Sequence, residues 1–337
     1  FKARDESDEV AMRLQAEADD ALKNIPPTLS TLPRTVIPFR PSGALGINRL
    51  RSLLNPEFDD KESQIPDCRA DVGPFSGLSD LVDEIQKSGK GVVMAMGKGG
   101  VGKTSVAARV AFQLAESGEP VLLATTDPAD HLTGRFSTIP KNLTVAAIDP
   151  KRETELHVRR VLKASGANLD ADARALLEEE LKSPCIEEIA VFTAFAAMVA
   201  KGATQFVVLD TSPTGHTLLL LDTTEAYHRE VARGGDQLSE DVRRLLPRLR
   251  DPDFTRILIV TLPEATPVHE AASLQTDLRR AGIEPHAWII NRSLETTNTT
   301  DPLLAAKRLN ERRYLNEVNS RLAKRAALIP FEATGAR

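Results

Sequence analysis

The residues that bear chemistry most plainly lie in one stretch, Gly97-Lys98-Gly99-Gly100-Val101-Gly102-Lys103-Thr104. An apolar run, Gly91-Val92-Val93-Met94-Ala95-Met96, precedes it, and an alanine-rich segment of helical spacing follows. Glycines at these positions let the backbone curl until successive N–H groups point into one concavity, which is the shape a phosphate requires. A helix starting near Lys103 adds the positive end of its dipole. Lys103 is then placed to hold β- and γ-phosphates as a point charge, and the Thr104 hydroxyl to ligate Mg2+. The whole stretch from Gly97 through Ser105 lines the nucleotide. The chemistry is that of a phosphate-binding loop acting on ATP with Mg2+.

Two aspartates fall just past predicted strands. Asp127 follows Val121–Thr126 in Asp127-Pro128-Ala129-Asp130-His131, and Asp210 follows Phe206–Leu209. Ligands of open parallel sheets bind at the C-terminal ends of the strands. A carboxylate there either holds Mg2+ through its waters or orients an attacking water, or else simply caps the next helix. With a phosphate loop on a neighbouring strand, Asp127 is expected to position water and Asp210 to reach the metal from the second shell.

The elements that must carry these residues alternate in type. Strands are predicted at 91–96, 121–126, 143–148, 206–209, 257–262, 287–290 and 327–329. Helices are predicted at 80–87, 103–117, 151–182, 186–201, 266–281 and 303–324. Near-continuous apolar strands between helices imply an α/β, doubly wound, mostly parallel sheet with helices on both faces. Ahead of this block, residues 4–24 have a helical pattern closed by Pro26-Pro27, residues 35–39 a short strand pattern and residues 44–54 helical spacing, followed by a polar linker. Val36-Ile37-Pro38-Phe39 matches Leu328-Ile329-Pro330-Phe331, with Gly43 and Gly335 beyond. Residues 1–55 are therefore expected to be the tail of a first copy, 56–78 a linker and 79–337 a second ATPase domain, in a chain that is a fragment or a processed product.

Composition narrows the classes. The chain has 337 residues, 41% of them hydrophobic and 27% charged, enough for a full core under a polar surface. A net charge of −5 gives no electrostatic case for a nucleic-acid partner. No apolar run reaches the ~20 residues of a membrane span, and no signal-peptide pattern precedes the first predicted helix. Cys68 and Cys185 are the two cysteines and form no disulfide framework, so a cytoplasmic location is expected. Cys68, in the linker, is read as incidental.

The extra lysine, Lys98, gives the loop a resemblance to the deviant Walker A motif shared by MinD, ParA, nitrogenase iron protein and the ArsA-type ATPases. In that group this lysine reaches the partner's nucleotide like an arginine finger. The segments Asp127–Leu132 (DPADHL), Leu181–Phe192 (LKSPCIEEIAVF) and Phe206–Asp222 (FVVLDTSPTGHTLLLLD) resemble the second half of the ArsA family from about Ser79 to Arg337, and the preceding residues resemble the end of its first half. The resemblance implies a pseudo-dimer of two homologous halves, with As(III) or Sb(III) bound between them as the activating ligand, and a membrane arsenite channel of the ArsB type as partner. Association with the inner membrane face is then peripheral. Soft thiolates suit such metalloids. By residue type alone Cys185 reads as a buried small apolar group and His216 as a hydrogen-bonded histidine at a helix start. The resemblance implies Cys185, His216 and Ser183 as metalloid ligands, and Asn291, Pro330 and Phe331 as adenine contacts. Ser212 departs from the alanine common in the family, a small-for-small change. Two alternatives stand beside the pump reading: a targeting ATPase for tail-anchored membrane proteins, and a nucleotide-switched scaffold like ParA or MinD.

Overall fold

The computed structural model describes residues 1–37, 39–41, 72–125, 139–165, 183–211 and 240–331, with single positions at 47, 50, 51, 172, 175, 177, 179 and 181. The chain opens with helix α1 (Glu9–Lys23) and a short helical turn, Pro27–Ser30. Then come α2 (Leu78–Gln86), β1 (Gly91–Met96), α3 (Lys103–Glu116), β2 (Val121–Thr125), β3 (Leu143–Ala147), α4 (Pro150–Ser165) and α5 (Pro184–Ala200). They are followed by β4 (Phe206–Asp210), α6 (Glu240–Arg250), β5 (Thr255–Thr261), α7 (Ala265–Arg280), β6 (Ala287–Ser293), α8 (Pro302–Glu317) and β7 (Ala326–Pro330).

The seven strands form one parallel sheet in the order β3-β2-β4-β1-β5-β6-β7. Every residue of β1, β2, β4 and β5 is buried, as strands covered on both faces must be. That is why they read as unbroken apolar runs rather than alternating ones. The edge strand β3 has a mixed burial pattern instead. From β1 the chain moves outward to β2 and β3, returns to β4, and crosses to β5 on the other side of β1. The strand order therefore reverses at β1, and a ligand crevice is expected at such a switch point.

The chain folds as two compact units, one of residues 78–260 and 270–288, the other of 1–77, 261–269 and 289–337. In the first, Phe206, Met94, Leu123 and Trp288 are among the large side chains sealed in the core. The Trp288 indole N–H donates to Gln275 Oε1 at 2.8 Å, so the buried ring leaves no orphan donor. In the second, Ser76 forms a parallel bridge with Ala327, and Leu328 N donates to the Ser76 carbonyl at 3.0 Å.

Three expectations change. Thr35, Val36 and Ile37 form no strand, and Val36 is 85% exposed. Three β-branched residues supply propensity, but a strand also needs a neighbour for its N–H and C=O groups. Helix α8 stops at Glu317 and is followed by a π-helical turn, Val318–Leu322, so regular α-helix does not run to 324. Helix α6, which the sequence reading does not name, contains Pro247. The burial of Val242, Leu245, Leu246 and Leu249 along one face outweighs the lost proline N–H. Helix α4 ends its described part at Ser165; of the expected continuation to 182, positions 172, 175, 177 and 179 are helical, Leu181 is in a turn and the others lie outside the described residues.

Candidate active site at the sheet edge

The phosphate loop begins where β1 ends. Gly97 has φ 152°, and a Cβ there would run into the Val260 carbonyl oxygen, so the chain can turn away from the sheet only at glycine. Gly102 is the N-cap of α3 in the left-handed region, φ 92°, with no side-chain cap bond. The first turn of a helix leaves N–H groups without intrahelical acceptors, and a glycine cap leaves them open to an anion.

Lys103 is the first residue of α3 and only 8% exposed, unusual for lysine. Its Nζ donates to the Lys98 carbonyl at 3.0 Å. Burial pushes its pKa below the ordinary lysine value, and the Asp210 charge opposes that shift. Asp210, the last residue of β4, is 4% exposed. It lies level with Ala95 on β1 and with Thr125 on β2. Thr125 Oγ1 donates to Asp210 Oδ2 at 3.5 Å, and the Thr211 hydroxyl donates to the Ala95 carbonyl at 2.8 Å. A buried ammonium, a buried carboxylate and a glycine-capped helix start thus share the C-terminal edge of the sheet.

Lys98 points elsewhere. Its side chain is exposed and forms an ion pair with Glu270 of α7 at 3.6 Å. Thr104 and Ser105 occupy the next positions of α3, half-buried. The donors Mg2+ needs are hard oxygens supplied sparingly by protein and mostly by phosphate and water. A threonine hydroxyl on the first turn and one buried carboxylate fit that demand. No cluster of three or more His, Cys, Asp or Glu side chains able to cage a metal occurs among the described residues.

The structure joins Gly97–Thr104 with Asp210. It does not describe Asp127 or His216, which lie outside the described residues with Cys68. Ser183 is the exposed N-cap of α5, and Cys185 is the second residue of that helix. Asn291 is buried on β6, Pro330 ends β7 and Phe331 follows it half-buried. Sequence reasoning missed Thr125 and Thr211. The signal was available, since both are hydroxyl residues at the C-terminal ends of central parallel strands, where a carboxylate needs a donor. It also missed Glu270, whose pairing with Lys98 follows from packing and has no local sequence sign.

Against proteins already known, the profile of the anion-transporting ATPase family (ArsA type) matches residues 90–233 and 223–332, from the start of β1 to past the end of β7. The chain belongs to this family. An arsenical pump-driving ATPase of Escherichia coli is 44% identical over 332 residues, covering 98% of this chain and 56% of the relative. One of Acidiphilium multivorum is 44% identical over 333 residues, covering 99% and 57%. ATPase GET3C of Arabidopsis thaliana is 26% identical over 339 residues, covering 83% and 86%. The chain thus spans little more than half the length of the two arsenical relatives. As a member of that family it carries the P-loop and a strand-end carboxylate, and no helix among the described residues is long and apolar enough to cross a membrane.

Proposed function

We propose that this chain is an ATP-hydrolysing half of an arsenite- or antimonite-stimulated ATPase that energises efflux through a membrane partner of the ArsB type. The observation that carries the reading is a glycine-capped P-loop whose buried Lys103 and the buried Asp210 share the C-terminal edge of the sheet. Support comes from the 44% identity to arsenical pump-driving ATPases over nearly the whole chain.

In this reading the backbone N–H groups of Gly99 to Thr104 cradle the β-phosphate, and Lys103 exchanges the Lys98 carbonyl for phosphate oxygens. Thr104 and Asp210 would hold Mg2+, Asp210 through water. Bound there, the ion neutralises charge developing on the transferred phosphoryl group. Asp127 orients the attacking water. Asn291, Pro330 and Phe331 receive the adenine. Lys98 leaves Glu270 to reach the nucleotide of a homologous half, and adds positive charge where the transition state gathers negative charge. Metalloid bound by Cys185, with His216 and Ser183, and by ligands of the other half draws the halves together. Asp210 and His216 belong to one short stretch of sequence, Asp210-Thr211-Ser212-Pro213-Thr214-Gly215-His216, so closure at one is felt at the other.

The targeting-ATPase alternative has less behind it. Its relative is 26% identical, and the sequence has no Cys-x-x-Cys pair for a zinc clamp. The test is ATP hydrolysis with and without arsenite or antimonite in a protein carrying both halves. Stimulation by metalloid is expected. A protein that hydrolyses ATP and ignores both metalloids would overturn the pump reading.

A further inference from the structure

The N-terminal segment and the β6–α8 connection fasten each other by reciprocal capping. Asp8 caps α1 with Oδ1, which accepts from Val10 N at 2.8 Å and Ala11 N at 3.0 Å. Its Oδ2 accepts from Thr299 Oγ1 at 2.5 Å, Thr300 N at 2.7 Å and Asp301 N at 2.8 Å. Asp301 caps α8 in the same manner, its Oδ1 accepting from Leu303 N and Leu304 N at 2.9 and 3.3 Å. Its Oδ2 accepts from Arg4 N at 2.6 Å and Asp5 N at 3.1 Å. Both carboxylates are buried. Each therefore caps the start of one helix and ties down the chain entering the other, with charge-assisted bonds that are among the stronger in proteins.

What this fastening supports is the chain that leaves β6. Ala11, Leu294 and Leu304 form a buried cluster against which Val10, Leu14 and Phe331 pack. Further along α1, Glu17 pairs with Arg292 at 3.6 Å. Arg292 is the one non-glycine residue with positive φ among the described residues, at 57°. Its guanidinium lies 4.9 Å from the centroid of the Phe331 ring, and Phe331 N donates to the Ser293 carbonyl at 2.7 Å. A left-handed arginine is strained, and such strain persists only where the surroundings fix it. Here the surroundings are Glu17 on one side and Phe331 on the other.

We propose that α1 is a clamp on the base-recognition corner: through Asp8, Glu17 and the apolar cluster it fixes Arg292, the turn after Asn291, and Phe331, and so sets affinity for the adenine base. Arg292 is a positioning residue in this scheme. The inference rests on the assignment of Asn291, Pro330 and Phe331 to the base under the proposed function.

The test separates base from phosphate. Equilibrium binding of ATPγS and of tripolyphosphate, both with Mg2+, is measured for the full chain and for Glu17→Gln, Arg292→Ala, Arg292→Lys and Asp8→Asn, with thermal melts as the folding control. Arg292→Ala is expected to weaken ATPγS by about fivefold or more, the low end of coupling between linked sites, and to leave tripolyphosphate unchanged. Glu17→Gln shifts the same way by less, and Arg292→Lys restores part of the loss. Glu17 and Arg292 are partly exposed, so these variants keep the test valid should Asp8→Asn fail to fold. Unchanged ATPγS affinity in the folded variants, or equal losses for both ligands, overturns the clamp while leaving the ATPase reading intact. A wild-type chain that binds neither ligand overturns the nucleotide reading and the clamp with it.

Discussion

Lys103 Nζ donates to the carbonyl oxygen of Lys98 across 3.0 Å, so the two lysines of the loop are joined, one by its side chain and the other by its backbone. The bond gives a buried ammonium an acceptor, and a neutral carbonyl is readily replaced by an anionic phosphate oxygen, which forms the stronger bond. The Lys98 side chain is meanwhile held by Glu270 in an exposed pair, a kind worth about 0–1 kcal/mol and easily given up.

Lys103→Ala is expected to lower ATP hydrolysis by at least about a hundredfold, the usual loss when a charge-stabilising donor is removed, while the domain stays folded. Steady-state hydrolysis and circular dichroism on the same sample check this. Retained hydrolysis in a folded variant would show that the loop is not the active site.

Lys98→Ala is expected to spare nucleotide affinity and to lower stimulated turnover by about a thousandfold, the low end for an arginine-finger group. The split follows from a charge that acts only in the closed state. Measured kcat and ATPγS affinity decide it: lost affinity with preserved kcat places Lys98 in simple ground-state binding.

Cys185→Ser is expected to remove most metalloid stimulation in the two-half protein and to leave basal hydrolysis near wild type. Serine keeps the size of the side chain but loses its soft donor. Dose–response curves for arsenite and antimonite at saturating ATP are the measurement, and superimposable curves would exclude Cys185 as a ligand.

Glu311 gives a pH signature to stability. It is 1% exposed, and burial pushes its carboxyl up from 4.5 to about 7, although Leu294 N and Ser293 Oγ donate to Oε2 at 2.8 and 3.1 Å. Between these values the folded chain binds the extra proton, so this stability is fully present below pH 4.5 and is lost as pH rises through about 7. The loss is roughly 3 kcal/mol. Glu311→Gln should melt at a higher temperature than wild type at pH 8, with the gain shrinking toward pH 5. A constant difference across that range would remove Glu311 as its source.

Asp8 acts in the opposite direction. Burial alone raises its pKa, but the bonds from Thr299, Asp301, Ala11 and Thr300 together outweigh burial and hold it at about 2, below the ordinary 3.8. The associated stability is present above pH 3.8 and is lost as pH falls through about 2. Asp8→Asn should reduce stability at neutral pH and flatten this acid limb. Amide exchange at Thr300 and Asp301 should rise in parallel, and unchanged exchange there would contradict the reciprocal cap.

The site was legible in the sequence to the extent that its geometry is local. The P-loop fixes its own shape, because glycine spacing, the β1 run and the start of α3 are adjacent in the chain. The strands were legible for a related reason: a strand covered on both faces must be apolar at every position, as Val92–Met96 and Val207–Leu209 are. Thr35, Val36 and Ile37 failed as a strand because propensity does not supply a pairing partner. Helix α6 went unnamed because its burial comes from packing that Pro247 conceals.

The sequence by itself determined the phosphate-binding chemistry, the alternating α/β order and the family, since each is carried by residue types at short, fixed separations. Only the tertiary structure decided which distant groups meet. Asp210 is level with Thr125 and Ala95 because parallel strands align in register, and Lys98 faces Glu270 because α7 packs where it does. Asp8 and Asp301 exchange caps across nearly the full length of the chain. Such contacts depend on how whole elements pack, and a one-dimensional pattern carries no term for the distance between residues far apart along it.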